Sequence, residues 1–75
     1  MLSTLDIVKN DVREFRGQRG LSQADLAADL GVSRQTIIAI ESGRYSPSLP
    51  LAFRIARFFD VLVDTMFDPS EEVEA

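Results

Sequence analysis

The chain contains no cysteine and no histidine. Without cysteine there is no disulfide framework and no thiolate metal site. Without histidine the commonest general base and the commonest metal ligand are both missing. That argues against hydrolytic chemistry, so no enzyme, cofactor, metal or small-molecule ligand is expected. Long apolar runs are absent as well: none approaches the roughly 20 residues that span a bilayer. The first residues lack the basic start and apolar stretch of a signal peptide. A cytoplasmic protein with no membrane contact is expected. Basic residues are in the minority, the net charge being −4.

What remains is a hydrophobic share of 45% in 75 residues, ample for one core and too high for a disordered chain. One small domain is expected, of marginal stability unless it packs efficiently or oligomerises. Its charge is segregated. Residues 11–57 hold seven arginines against Asp11, Glu14, Asp25, Asp29 and Glu41, a net of +2. Residues 58–75 hold six carboxylates and no basic side chain. The acidity thus sits at one end, either pointing away from a polyanion or simply aiding solubility. The domain is placed at residues 1–69 and an acidic tail at 70–75.

Punctuation divides the chain into five short helices, with no strand pattern, repeat or low-complexity segment. An all-α fold is expected. The first helix carries Leu5, Val8, Val12 and Phe15 at helical spacing, with Ser3 and Asp6 as a capping pair and Gly20 at its end. Ser22 caps a second helix, Gln23 to Leu30, which Gly31 stops. Ser33 caps a third, from Arg34 to about Ser42, whose inner stripe is Ile37, Ile40 and part of Thr36. After the loop 44–48, Ser48 caps a fourth, with Pro50 in its first turn and Ala52, Phe53, Ala56 and Phe59 inward. Asp60 makes a turn, and a last helix covers Asp64 to Phe67.

The informative segment is QADLAADLGVSRQTIIAIE, Gln23 to Glu41. Two helices joined by a short turn containing glycine form a helix-turn-helix signature. Ala27 is small where the helices cross closest, and Gly31 supplies the turn's unusual backbone angles. Leu26, Leu30, Val32, Ile37 and Ile40 lock the pair so that the third helix can enter a groove about 12 Å wide. A plain helical hairpin inside a bundle is the bland alternative.

With GLSQADLAADLGVSRQTI, IESGRYSPSL and IARFFDV, residues 10–67 resemble the Xre family, the Cro- and phage-repressor-type helix-turn-helix proteins. The resemblance implies a compact five-helix domain of the lambda-repressor-like type that docks its third helix in duplex DNA. It is usually a homodimer on a palindromic operator, acting as a transcriptional regulator, most often a repressor. It implies that Gln23 contacts phosphate at the start of the second helix, where backbone amides add to an anion site. Arg34 and Gln35 match the first base-reading positions, and a helix's N-terminal turn is the part that reaches base edges. Arginine suits guanine and glutamine suits adenine. Ala39 matches a further base-contacting position, and Ile38 lies beside it. Both depart from the commoner polar residues, so they offer apolar contact to thymine methyls, or Ile38 packs on the Arg34 stem. Arg44 and Tyr45 follow the third helix where the family grips the backbone, although the Tyr45 ring could instead pack on helix four. Ser33, Thr36 and Ser46 join them as candidate phosphate contacts. Arg16 and Glu41 match a structural ion pair. Arg13 and Arg19 are either phosphate contacts or solvated.

A surplus of apolar residues near the end marks a contact surface. Leu51, Ile55, Phe58, Leu62 and Met66 are placed in a homodimer interface, the alternative being that Leu2, Leu5 and Ile7 fold back over them. Two further functions compete with the regulator: the DNA-binding antitoxin of a toxin–antitoxin pair, and a protein-interaction module without DNA binding.

Overall fold

In the computed structural model, which describes residues 9–68, the elements run β1 (Lys9–Asn10), α1 (Val12–Gln18), α2 (Gln23–Leu30), α3 (Arg34–Glu41), α4 (Leu49–Phe58), α5 (Val63–Met66) and β2 (Phe67–Asp68). Three of the helices begin on a serine. The hydroxyls of Ser22, Ser33 and Ser48 accept from the backbone N–H of Asp25, Thr36 and Leu51 at 2.9, 3.1 and 3.3 Å. Each such cap contributes about 1 kcal/mol. At α2 the cap is reciprocal, since the Ser22 N–H donates to the Asp25 carboxylate at 3.1 Å. That backbone bond, with the Ser22 hydroxyl second, holds the Asp25 carboxyl below its ordinary value.

Four helices end in the same way. Gly20, Gly31, Gly43 and Asp60 take φ of 67°, 75°, 81° and 60°. The next residue then reaches back, with the N–H of Leu21, Val32, Arg44 and Val61 donating to the carbonyl of Arg16, Ala27, Ala39 and Ala56 at 2.9–3.1 Å. This closing turn satisfies carbonyls that the helix itself leaves open and calls for a left-handed residue. Three of the four positions are glycine; Asp60 holds the conformation with a side chain in place.

The sequence pattern misplaces the start of α1. Leu5, Val8, Val12 and Phe15 share a helical spacing, yet Lys9 and Asn10 are extended and the helix begins at Val12. Asn10 is the cause. Its Oδ1 accepts from the Val12 N–H at 3.1 Å, starting the helix there, while its Nδ2 donates to the Ile40 carbonyl at 2.9 Å. Lys9 and Asn10 pair antiparallel with Asp68 and Phe67, and the Asp11 N–H donates to the Met66 carbonyl at 3.0 Å. A two-residue strand pair thus joins the two ends of an otherwise all-α fold. The expected Ser3–Asp6 cap, a fold-back of Leu2, Leu5 and Ile7, and the tail 70–75 lie outside the described residues.

The core is one cluster. Val12, Leu26, Ile37, Ile40, Ile55 and Met66 have no exposed surface, and Ala27, Leu30, Leu51, Ala52, Phe59 and Phe67 are nearly as buried. Each large aliphatic side chain contributes about 1.5–3 kcal/mol on leaving water. The inward face of α4 is the expected one in part: Ala52, Ala56 and Phe59 are inward as expected, Leu51 and Ile55 join them, and Phe53 is turned outward. Positions 49, 51, 52, 53, 55, 56, 58 and 59 are all apolar, so two adjacent stripes fit the helical period equally well. The docking of α5 and β2 decides between them, because Met66 and Phe67 are buried in the same cluster as Leu51 and Ile55.

This rotation corrects the expected dimer surface. Leu51, Ile55 and Met66 fill the chain's own core and cannot face a partner. Phe58 is half-buried, edge-on to Phe59 at 5.0 Å between ring centroids. Only Leu62, 74% exposed, keeps the surface position given to it.

Candidate nucleic-acid interface

The turn between α2 and α3 sets the geometry of the site. Gly31 at φ 75° allows the chain to reverse there, and a Cβ at this position would meet nothing closer than the Arg54 guanidinium at 3.6 Å. Backbone angle, then, and not space, demands glycine. Arg54 of α4 donates to the Leu30 carbonyl, placing a cation at the C-terminal end of α2, where the helix dipole favours one. Leu26, Ala27 and Leu30 of α2 bury against Ile37 and Ile40 of α3 in the common core. The first turn of α3 is thereby held at the surface, and Arg34 and Gln35 stand exposed on it.

Beneath the start of α2, at the end of α3, lies the Arg16–Glu41 pair. Arg16 Nε donates to Glu41 Oε2 at 2.7 Å and its Nη2 to Oε1 at 3.1 Å, a two-pronged contact. The third prong, Nη1, donates to the Leu21 carbonyl at 2.9 Å, directly ahead of the α2 cap. Both side chains are largely covered, at 16% and 5% exposure. The hydrogen bond to Glu41 raises the Arg16 guanidinium above its ordinary value, against the pull of burial, and charge attraction adds to it. Gln23 joins the network, its Nε2 donating to Glu41 Oε1 at 3.1 Å.

Above this pair opens a groove of about 610 Å³ between the start of α2 and the outer side of α3. Arg13, Arg16, Gln23, Arg34, Ile38 and Glu41 are among the side chains that line it. Glu41 is matched by Arg16, so Arg13 and Arg34 give the groove a net positive character suited to an anion. At the head of α3 the Ser33 and Thr36 hydroxyls lie 2.9 Å apart. One hydroxyl hydrogen of that pair stays free for an external acceptor.

The remaining expected site residues divide. Ile38 and Ala39 are half-buried. Ile38 lines the groove beside Arg34, and the Ala39 carbonyl accepts from the N–H of Arg44 and of Tyr45 at 3.0 and 3.2 Å. The loop after α3 is thereby tied to the helix it follows, and Arg44, Tyr45 and Ser46 are exposed on it. The Tyr45 ring is 46% exposed. Arg19 lies elsewhere, stacked 5.6 and 5.0 Å from the Phe58 and Phe59 ring centroids and donating to the Phe58 carbonyl at 3.0 Å. It is a scaffold residue at the end of α4.

With this geometry in view, a helix-turn-helix family profile matches residues 12–65. The chain belongs to the Xre-type helix-turn-helix family. Similar proteins of the family carry matching names. An HTH-type transcriptional regulator of Methanocaldococcus jannaschii is 57% identical over 60 residues, covering 80% of this chain and 91% of its own. The transcriptional repressor RstR of the cryptic phage CTXphi in Vibrio cholerae is 33% identical over 60 residues, 80% of this chain and 54% of its own. Among solved structures, a hypothetical transcription factor from Neisseria superposes with a TM-score of 0.70 at 29% identity, covering 83% of this chain and 71% of its own. A restriction-modification controller protein from Aeromonas hydrophila gives a TM-score of 0.65 at 31% identity, covering 72% and 78%. The Xre-type chain described here shares their fold, and none of its described helices is long and apolar enough to cross a membrane.

Four contacts escape the sequence: Asn10 to Ile40, Arg19 to Phe58, Gln23 to Glu41 and Arg54 to Leu30. Each joins residues 18 to 39 positions apart. No local spacing announces such a pair. Arg54 sits on a helix whose rotation the pattern leaves ambiguous, so its target is hidden twice over.

Proposed function

We propose that this protein is a sequence-specific duplex-DNA-binding transcriptional regulator, acting as a repressor on a palindromic operator. One observation carries the proposal. The exposed first turn of α3, with Arg34 and Gln35, borders a groove containing Arg13 and the Gln23 side chain. Base-reading and phosphate-holding groups thus share one face. In this reading Arg34 and Gln35 read base edges, with Ala39 and Ile38 touching thymine methyls beside them. Gln23, Ser33 and Thr36 hold the phosphates on one side of the major groove, and Arg44, Tyr45 and Ser46 hold them on the other.

A single recognition helix reads only half a site, so the protein acts as a homodimer. Its surface is the outer side of α4 and the turn beyond it: Leu49, Phe53 and Leu62 are 63%, 48% and 74% exposed. Arg57 and Asp60 line the shallow pocket between Phe53 and Leu62. A two-fold axis there can set each arginine against the other copy's carboxylate. The same exposed face favours a second reading, an antitoxin that holds a different protein on it. Selection from random duplexes tests the proposal. Palindromic winners with half-sites about 34–36 Å apart, or a multiple of that, are expected. Failure to enrich any sequence would overturn the regulator, and enrichment of lone half-sites by a monomer would favour the second reading.

A further inference from the structure

Glu41 does more than neutralise Arg16. Its carboxylate accepts three hydrogen bonds, two from Arg16 on α1 and one from the Gln23 amide at the first position of α2. At 5% exposure it is the most covered charged side chain of the site. A carboxylate has no hydrogen to donate, so only the Nε2 end of the Gln23 amide can face it. The amide's orientation is therefore dictated, and so is the torsion of a side chain that otherwise turns freely. Nε2 carries two hydrogens, and Glu41 takes one.

We infer that Glu41 is a positioning residue for DNA binding: it holds the Gln23 amide so that its second N–H is presented to a backbone phosphate lying in the groove beside Arg13 and Arg34. The inference rests on the proposed DNA-binding function and deepens it. Geometry supplies the reason for the arrangement. Gln23 is half-buried at the groove wall, and its backbone N–H belongs to the open first turn of α2. A phosphate at that turn meets a backbone donor and, if the amide is pinned, a side-chain donor already in place. Pre-setting a donor removes the loss of rotamer freedom that would otherwise weaken the contact. Arg16 acts in the same direction, because its bond to the Leu21 carbonyl fixes the chain just ahead of Gln23.

A purely structural Arg16–Glu41 pair makes a different prediction, and one variant separates the two. Replacing both partners with apolar side chains of similar size, Arg16→Met with Glu41→Leu, removes the pair without stranding a buried charge. Unfolding by urea confirms that the protein remains folded. Affinity for a selected operator is then compared among wild type, Gln23→Ala, the apolar double variant and the triple variant. Positioning by Glu41 predicts that Gln23→Ala costs about tenfold in the wild type, as expected for one hydrogen bond to a charged group. The apolar double variant loses several-fold, the rotamer cost of an amide no longer pinned, and adding Gln23→Ala to it costs correspondingly less than in the wild type. Replacing the contacted phosphate with a neutral methylphosphonate should weaken both proteins, the wild type more than the double variant, which keeps the Gln23 backbone N–H, Arg13 and Arg34 but not the pinned amide. If the double variant binds like the wild type, or if Gln23→Ala costs the same in both backgrounds, Glu41 does not position Gln23. Should the wild type bind no duplex, the DNA-binding proposal falls and this inference with it. The two failures are distinguished by the wild-type titration alone.

Discussion

Asp60 closes α4 at φ 60°, in a position where the other three closing turns use glycine. Replacing it with glycine should make the protein more stable. The left-handed conformation costs a side chain about 1 kcal/mol, somewhat less for aspartate than for most residues. Its carboxylate also stands at the negative end of the α4 dipole, an unfavourable placement of about 0.3–1 kcal/mol at the surface. Against these gains stands the greater freedom of glycine in the unfolded chain, about 0.4–1 kcal/mol. The side chain makes no hydrogen bond that would be lost among the described residues, and the backbone N–H that donates to the Arg57 carbonyl at 3.0 Å is retained. The net expectation is a gain of about 0.5–1 kcal/mol, which in a domain of this size raises the melting midpoint by roughly 2–8 °C. Urea unfolding followed by helical circular dichroism, at concentrations where the chain is monomeric, measures the gain without any pairing of Asp60 with another copy, and an unchanged slope shows that the surface exposed on unfolding is the same. Asp60→Asn separates the causes, since it removes the charge and keeps a side chain in the left-handed turn; it should recover only the electrostatic share. A glycine variant no more stable than the wild type would refute the claim that the turn is strained.

Arg16→Met alone strands the Glu41 carboxylate at 5% exposure and should cost about 3 kcal/mol; the double change with Glu41→Leu should return to within about 1 kcal/mol of wild type in the same urea titrations. Ser22→Ala should cost about 1 kcal/mol through loss of the cap. Asp25→Ala, which removes the carboxylate that the Ser22 N–H holds, should flatten the acid limb of stability. The Asp25 carboxyl titrates below its ordinary value in the folded chain, so its contribution is complete above the unfolded value near pH 4 and fades as pH falls through the folded value. An acid profile identical in Asp25→Ala would contradict the reciprocal cap. Phe53→Lys or Leu62→Glu should leave helical content and melting nearly unchanged and abolish self-association in sedimentation equilibrium. Ile55→Lys should instead unfold the protein, and a folded Ile55→Lys monomer would return Ile55 to the dimer surface.

The central helices are legible in the sequence because their ends are chemically marked. Ser22, Gly31, Ser33 and Gly43 bound α2 and α3 in the pattern as in the structure. The rotation of α4 is poorly legible, because eight apolar positions between 49 and 59 leave a polar side marked by Arg54 and Arg57 alone. Long-range packing by α5 settles that choice, and it moves Leu51, Ile55 and Met66 from an expected interface into the core. The strand pair is equally hidden, since lysine and asparagine are poor strand formers and two residues carry no period. At the site, the exposed Arg34 and Gln35 follow from the buried stripe of α3. The tie between Gln23 and Glu41 does not, because it spans 18 residues and depends on how α2 and α3 cross.

In the proposed function the first turn of α3 reads the DNA sequence. The most direct test is affinity for a selected operator and its single-base variants, measured over a series of salt concentrations for wild type, Arg34→Ala and Gln23→Ala. The wild type should weaken linearly in log–log form as salt rises, as phosphate contacts require. Arg34→Ala should lose about 1–3 kcal/mol, confined to one base position, and relax the preference there. Gln23→Ala should weaken every sequence alike. No duplex binding at low salt, or a uniform loss for Arg34→Ala with a base-specific one for Gln23→Ala, would contradict the proposed function.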